Sequence, residues 1–145
     1  MKKIVITSGF FNPLHIGHIN LFREAKKLGD YLVVIVNNDE QVKIKGSMPF
    51  MSEAERLEII KAQKYVDEVF LSIDKDITIS KSLELIAKKY GGELYFAKGG
   101  DRNAGNIPES EKYVCEKFNI TIVNGVGGDK VQSSSWLIRN TARGK

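Results

Sequence analysis

The chain has 145 residues, with 42% hydrophobic and 28% charged residues, a balance that excludes a disordered or collagen-like protein. This length supports one hydrophobic core and leaves little room for a second, so we expect a single domain over residues 1–145. No apolar run approaches the roughly 20 residues of a membrane span, and the net charge of +4 suits anionic small molecules or weak contact with nucleic acid.

Apolar patterning predicts that strands and helices alternate along the whole chain. In chain order, the predicted elements are a strand at 3–7, a helix at 18–29, a strand at 31–36, a helix that begins after Ser52, a strand at 68–73, a helix at 80–91, a strand at 93–97, a helix at 108–118, a strand at 120–124 and a short helix after Ser135. The pair Ser52 and Glu55 predicts a capping box, whereas residues 37–51 are read as a polar connection. We therefore expect an α/β, Rossmann-like fold: a doubly wound parallel sheet of about five strands with helices on both faces.

The first residues and the cysteine content bear on location. The apolar run Ile4–Ile6 is too short for the core of a signal peptide, and no cleavage site of small residues follows it. Cys115 is the sole cysteine, so an internal disulfide is excluded. Both observations favour a cytoplasmic protein.

Most of the unusual chemistry lies in four connections that leave the carboxyl ends of the predicted strands. These connections are residues 8–18, 37–51, 98–106 and 125–135. In doubly wound folds, ligands bind beyond these strand ends, where the strand order reverses. We therefore expect these four segments to form one binding site.

The first connection, SGFFNPLHIGH, contains both histidines of the chain. His15 and His18 are three residues apart at a helix start, so their side chains project to one side. Gly17 lies between them, and free amides of the helix N-terminus point into the same space. This combination predicts a phosphate-binding site. The alternatives are capping or surface histidines, or a metal site, which lacks a convincing third ligand.

These residues also resemble a known family. GFFNPLHIGH is similar to the G-x-F-D/N-x-x-H-x-G-H signature of the nucleotidyltransferase superfamily, which includes the cytidylyltransferases. Residues 18–40 and 64–70 resemble glycerol-3-phosphate cytidylyltransferases and heptose-1-phosphate adenylyltransferases. The likeness covers about residues 3–73 and resumes at Lys98-Gly99-Gly100-Asp101 and, loosely, at the serines 133–135. HIGH also occurs in class I aminoacyl-tRNA synthetases, but those are far longer, and K-M-S-K-S is absent here.

The resemblance implies a reaction and a set of site residues. A substrate phosphate would attack the α-phosphate of a nucleoside triphosphate, pyrophosphate would leave, and Mg²⁺ would accompany the triphosphate. The implied catalytic residues are His15, His18, Lys45 and Arg56; the implied nucleotide-binding residues are Gly9, Phe10, Phe11, His15, Gly17, His18, Lys98, Gly99, Gly100, Asp101, Ser133, Ser134 and Ser135; and the implied substrate-binding residues are Asn12, Asp39, Lys45 and Arg56. The rings of Phe10 and Phe11 are expected to pack rather than to stack on a base. No residue is assigned to a metal.

Several of these assignments have ordinary structural alternatives. Lys45 and Arg56 also suit exposed surface positions, K-G-G-D suits a plain loop, and a serine triplet often caps a helix. The arginine that precedes the serine or threonine run in glycerol-3-phosphate cytidylyltransferases is absent, and Lys130 is a candidate to replace it. Asn12 stands where Asp is commoner, which argues against a general base there.

The sequence therefore predicts a cytidylyltransferase-like enzyme that transfers CMP or AMP from CTP or ATP to a small phosphorylated polyol or sugar. The missing arginine weakens the glycerol 3-phosphate assignment, and K-G-G-D favours heptose phosphate with ATP. A heptose-1-phosphate adenylyltransferase-type enzyme is one alternative, and a non-catalytic nucleotide-binding module is another. The resemblance also implies a homodimer. No basic stripe with interleaved aromatics predicts nucleic-acid binding.

Overall fold

A five-stranded parallel sheet forms the centre of the molecule. The computed structural model describes residues 2–99 and 107–128. The strands are β1 (Lys3–Gly9), β2 (Tyr31–Val36), β3 (Glu68–Leu71), β4 (Glu93–Gly99) and β5 (Ile120–Val126), and the helices are α1 (Ile16–Lys26), α2 (Asp39–Ile44), α3 (Glu53–Lys61), α4 (Ser80–Tyr90) and α5 (Glu109–Lys117). The strand order is β3-β2-β1-β4-β5, and all four pairings are parallel. The predicted fold class is confirmed.

Successive side chains of a strand point to opposite faces of the sheet. Both faces carry apolar side chains, and helices cover both of them. Ile4 and Ile6 of β1 pack with residues of α4 and α5 such as Leu83 and Val114. Val5, between them, belongs to a second core formed with α1 and α3. Strands buried on both faces account for the continuous apolar run in β2.

The strand order reverses at β1, which lies between β2 and β4. Backbone pairing of β1 with β4 runs from Lys3↔Glu93 to Ile6↔Phe96. One residue further on, the buried Thr7 Oγ1 donates to the carbonyl oxygen of Ala97 at 2.8 Å. A side-chain hydrogen bond therefore continues the contact between the strands where their described backbone pairing ends. The connection from β1 to α1, which contains both histidines, leaves the sheet at this point.

Two local predictions were wrong. Residues 37–51 are not wholly irregular, because α2 occupies Asp39–Ile44. The predicted capping box is only half formed: Ser52 Oγ accepts from the backbone N–H of Glu55 at 3.2 Å, and the described hydrogen bonds include no return bond from the Glu55 side chain. A complete box lies at α2, where Asn38 and Gln41 each accept the other's backbone N–H.

The boundaries of other elements differ by a few residues from the predictions. The strand β3 ends at Leu71 rather than at residue 73, whereas β5 extends to Val126. Pro108 is the N-cap of α5 rather than a residue of its first turn. Among the described residues, no helix is both long and apolar enough to cross a membrane.

Candidate functional site

The two histidines form the first turn of α1 and hold each other in place. His15 is the N-cap, and its Nδ1 accepts from the backbone N–H of Gly17 at 3.1 Å. His18 Nδ1 accepts from the backbone N–H of His15 at 3.1 Å. The rings stack with centroids 3.8 Å apart and an angle of 27° between their planes. Because each Nδ1 is an acceptor, a neutral imidazole at either position has its proton on Nε2, which is a hydrogen-bond donor.

The two rings accept hydrogen bonds from backbone amides of the predicted phosphate-binding turn. Free amides of the helix N-terminus were expected to be open to an anion, but the amides of His15 and Gly17 both donate to imidazole nitrogens. Within this turn, the imidazole Nε2 atoms, rather than these two amides, are therefore the groups that can donate to a ligand. The helix dipole still directs its positive end toward this turn.

His18 is largely buried, and this changes its charge. Burial, and then the nearby His15, lowers the pKa of His18 from 6.5 to about 3. The ring is therefore uncharged at neutral pH in the absence of a ligand. A neutral imidazole with its proton on Nε2 can donate a hydrogen bond to a phosphate oxygen while its Nδ1 keeps the bond from the His15 amide.

The ring of Phe11 packs against the ring of His18. The Phe11 ring is buried and contacts the His18 ring edge-on, with centroids 4.8 Å apart. The Phe11 backbone has φ +52°, a left-handed conformation that costs a non-glycine residue on the order of 1–3 kcal/mol. At Gly9, a Cβ atom would lie 2.7 Å from the Phe11 ring. Gly9 is thus required because the ring that supports His18 lies against its Cα.

Arg56 lies inside the protein and joins the first two connections. Its side chain is buried, and Nη1 donates to the carbonyl oxygens of Phe10 at 2.7 Å and Asn37 at 2.6 Å. Nε donates to the carbonyl oxygen of Met51 at 3.1 Å, and Nη2 forms an ion pair with Asp39 Oδ1 at 2.7 Å. These four contacts fasten residues 8–18 to residues 37–51. Arg56 and Asp39 are thus engaged with each other and with the backbone.

Asn12 makes a second link between the same two connections. The Asn12 side chain is buried; its Nδ2 donates to the carbonyl oxygen of Met48 at 2.8 Å, and its Oδ1 accepts from the backbone N–H of Phe50 at 2.6 Å. An amide supplies both the donor and the acceptor that this pair of bonds needs, whereas a carboxylate only accepts. The choice of Asn over Asp at this position is explained by these two bonds.

Lys45 lies at the end of α2, exposed to solvent, with Nζ 4.2 Å from the centre of the Phe10 ring. This cation–π contact places a positive charge beside the histidine connection. The structure therefore places Lys45 against Phe10, which belongs to the same connection as His15 and His18.

The side chain of Lys98 lies next to α5. It is buried on the face of the sheet that α4 and α5 cover, with Nζ 3.8 Å from Glu111 Oε1 and 4.6 Å from the centre of the Phe96 ring. Gly99 lies close to Leu21 of α1, where an added Cβ would meet Leu21 Cδ1 at 3.2 Å. The remaining predicted residues of these segments, Gly100, Asp101, Lys130, Ser133, Ser134 and Ser135, lie outside the described residues.

Sequence reasoning missed two polar residues that shape this end of the sheet. No motif in the sequence indicates the role of Thr7, because that role depends on where β1 and β4 stop pairing. Gln41 is buried, and its Nε2 donates to the carbonyl oxygens of Asp76 at 2.6 Å and Thr78 at 2.9 Å. The spacing of Asn38 and Gln41 is that of a capping box and was available as a signal.

Comparison with known proteins identifies relatives of this chain. A family model described as cytidylyltransferase-like matches residues 6–140. The FAD synthase of Thermococcus sibiricus is 53% identical over 124 residues, which are 84% of this chain and 80% of that protein. The bifunctional protein HldE of Desulfatibacillum aliphaticivorans is 51% identical over 70 residues, 47% of this chain but only 14% of that protein. A crystal structure of the lipopolysaccharide core biosynthesis protein from Thermoplasma volcanium matches with a TM-score of 0.68 and 30% identity, covering 86% of this chain and 95% of that one.

Proposed function

Because the chain belongs to the cytidylyltransferase-like family and is a nucleotidyltransferase, we propose that it transfers the AMP group of ATP to flavin mononucleotide (FMN) and forms FAD. The observation that supports this choice is the 53% identity with an FAD synthase over 84% of the chain. FMN is the phosphate ester of a polyol that bears a flavin ring, so it falls within the acceptor class that the sequence predicts. The proposal favours ATP over CTP as the nucleotide.

The reaction balances without a covalent enzyme intermediate. A phosphate oxygen of FMN forms a bond to the α-phosphorus of ATP, and the bond from that phosphorus to the bridging oxygen of the β-phosphate breaks. Pyrophosphate leaves with the electron pair of that bond. Negative charge accumulates on the oxygens around the α-phosphorus and on the leaving pyrophosphate, so positioned donors and cations accelerate the step.

The described residues suit these demands. His15 and His18 donate from Nε2 to phosphate oxygens, and their backbone bonds hold both rings in this orientation before substrate arrives. Lys45 supplies a positive charge to the acceptor phosphate or the triphosphate. Arg56 and Asp39 act by holding the two connections together, which is a positioning role rather than the direct contact that the resemblance implied.

Mg²⁺ is proposed as the partner of the triphosphate. Within residues 2–99 and 107–128, no group of three His, Cys, Asp or Glu side chains is arranged to hold a metal ion. The described residues thus do not form a metal site by themselves, and no step of the reaction is assigned to the metal here.

The test is a matrix of nucleotides and acceptors. Purified protein with Mg²⁺ is given ATP or CTP with FMN, heptose 1-phosphate, glycerol 3-phosphate or no acceptor, and both pyrophosphate and the joined product are measured. We expect FAD from ATP and FMN only, and loss of turnover in His18→Gln. Turnover with another pair and none with FMN contradicts the proposal.

A sugar phosphate acceptor is the second candidate. The structural relative from Thermoplasma volcanium is named for lipopolysaccharide core biosynthesis, and K-G-G-D resembles heptose-1-phosphate adenylyltransferases. The same matrix separates the two, because heptose 1-phosphate with ATP would then release pyrophosphate while FMN would not. The homodimer, the cytoplasmic location and the extent of the single domain over residues 1–145 stay predictions.

A further inference from the structure

Two large apolar side chains are exposed beside the histidine connection. Met48 is 82% exposed and Phe50 is 61% exposed, although both residues belong to the segment that Asn12 holds. Exposed apolar side chains of this size at the edge of a candidate site indicate a binding surface. We call Met48 and Phe50 the apolar ridge.

The ridge is held in position relative to the histidines. Asn12 bonds to the backbone at both ridge residues, and it lies three residues before His15 in the same connection. Arg56 fixes the carbonyl oxygen of Met51, directly after the ridge, and the carbonyl oxygen of Phe10. The backbone of the ridge is therefore anchored on both sides, whereas its side chains are mostly exposed.

The charged group beside the apolar ridge indicates the chemistry of the ligand that the ridge can bind. Lys45, three residues before Met48, is an exposed cation against Phe10. A ligand that covers the ridge and reaches Lys45 has a flat apolar part and an anionic part. Aromatic rings stack on Phe, and the thioether of Met packs against aromatic rings. A sugar phosphate has the anion but no apolar part.

We propose that the apolar ridge is the docking surface for the tricyclic flavin ring of the acceptor, with Lys45 near its phosphate. This inference rests on the proposed function and deepens it, because it names the residues that select a flavin over a sugar phosphate. Burial of Met48 and Phe50 under the ring contributes binding energy to FMN that a sugar phosphate cannot gain.

The experiment measures steady-state kinetics of Met48→Ser, Phe50→Ala and Phe50→Tyr with FMN and ATP varied in turn. We expect KM for FMN to rise about tenfold or more in Met48→Ser and Phe50→Ala, which corresponds to roughly 1.4 kcal/mol. We expect kcat and KM for ATP to stay near wild type in these two variants. Phe50→Tyr, which keeps an aromatic ring, should retain a KM for FMN near wild type. Quenching of FMN fluorescence by the protein gives the same ranking without turnover.

The matched control is Tyr113→Ala, which removes an aromatic side chain that is 63% exposed on α5, a helix of the opposite face of the sheet. It should leave KM for FMN unchanged. An unchanged KM for FMN in Phe50→Ala overturns the inference. A change from dimer to monomer in sedimentation velocity also overturns it, because the ridge would then be a contact between two copies. If wild-type protein makes no FAD, the proposed function fails; if it makes FAD and the ridge variants match wild type, only this inference fails.

Discussion

The backbone N–H of His15 donates to Nδ1 of His18 at 3.1 Å, so the histidine at the helix start holds the ring of the one that follows. In an ordinary capping box, Glu or Gln makes this return bond. Here an imidazole does so, and the bond leaves Nε2 of His18 as a donor. One pair of residues thus begins α1 and, under the proposed function, also donates hydrogen bonds to phosphate.

His18→Gln separates these two roles. Glutamine can keep the return bond to the N-cap amide through Oε1, but its NH₂ group does not coincide with the imidazole Nε2, so we expect a native fold and a loss of kcat by about 10²–10³, the usual effect of misplacing a donor to developing charge. Circular dichroism and pyrophosphate release test this together. Turnover near wild type would contradict the assigned role of His18.

The pKa of His18 predicts how stability depends on pH. The folded protein holds this pKa at about 3, whereas the unfolded value is near 6.5, so the unfolded chain binds a proton in this window and the folded one does not. Stability therefore rises as pH increases from about 3 to 6.5, and this contribution is lost as pH falls. Urea unfolding across this range should show a weaker pH dependence in His18→Gln than in wild type. A ring titration near 6.5, detected by NMR, would contradict the prediction.

Gly9→Ala should disturb His18 without touching it. The added Cβ would lie 2.7 Å from the Phe11 ring, which must move away from its edge contact with His18. We expect a loss of about 1–3 kcal/mol in unfolding free energy and a lower kcat. The double variant Gly9→Ala with Phe11→Leu removes the clashing ring atoms, so it should regain stability but not activity. If both variants behave alike in stability, the clash is not the cause.

Arg56→Met tests the link between the first two connections. Removing a buried guanidinium leaves Asp39 without its cation and the carbonyl oxygens of Phe10, Asn37 and Met51 without their donor. We expect a loss of about 2–4 kcal/mol in unfolding free energy, chiefly because buried carbonyl oxygens lose their donor. Arg23→Met is the control, because Arg23 is 41% exposed and should change stability by less than about 1 kcal/mol. Equal losses in the two variants would contradict a bracing role.

Cys115 should resist thiol reagents in the folded protein. Burial, and then the charge of Glu111, raises the pKa of its thiol from 9.0 to about 12, which lowers the thiolate fraction roughly a thousandfold. We expect negligible alkylation by iodoacetamide at pH 8 with full activity retained, and rapid alkylation in urea. Inactivation of the folded enzyme by the reagent would show that the thiol is accessible and is needed.

The parallel architecture and the histidine site were predictable because both depend on local patterns. The apolar run of β2 marks a strand covered on both faces, and the spacing of His15 and His18 places both rings on one side of a helix start. The helix α2 was missed because only six residues form it, between polar neighbours, although Asn38 and Gln41 mark its start.

The sequence by itself determined the fold class, the order of the strands and the edge of the sheet where the candidate site lies, since side-chain periodicity and residue spacing are properties of the chain. Only the tertiary structure decided which partner each polar group meets. It directs Arg56 inward onto three backbone carbonyls and Asp39, orients each histidine with Nδ1 toward an amide, and exposes Met48 and Phe50 beside Asn12. These contacts join residues of separate segments, and their energies depend on distances that exist only after the segments have packed together.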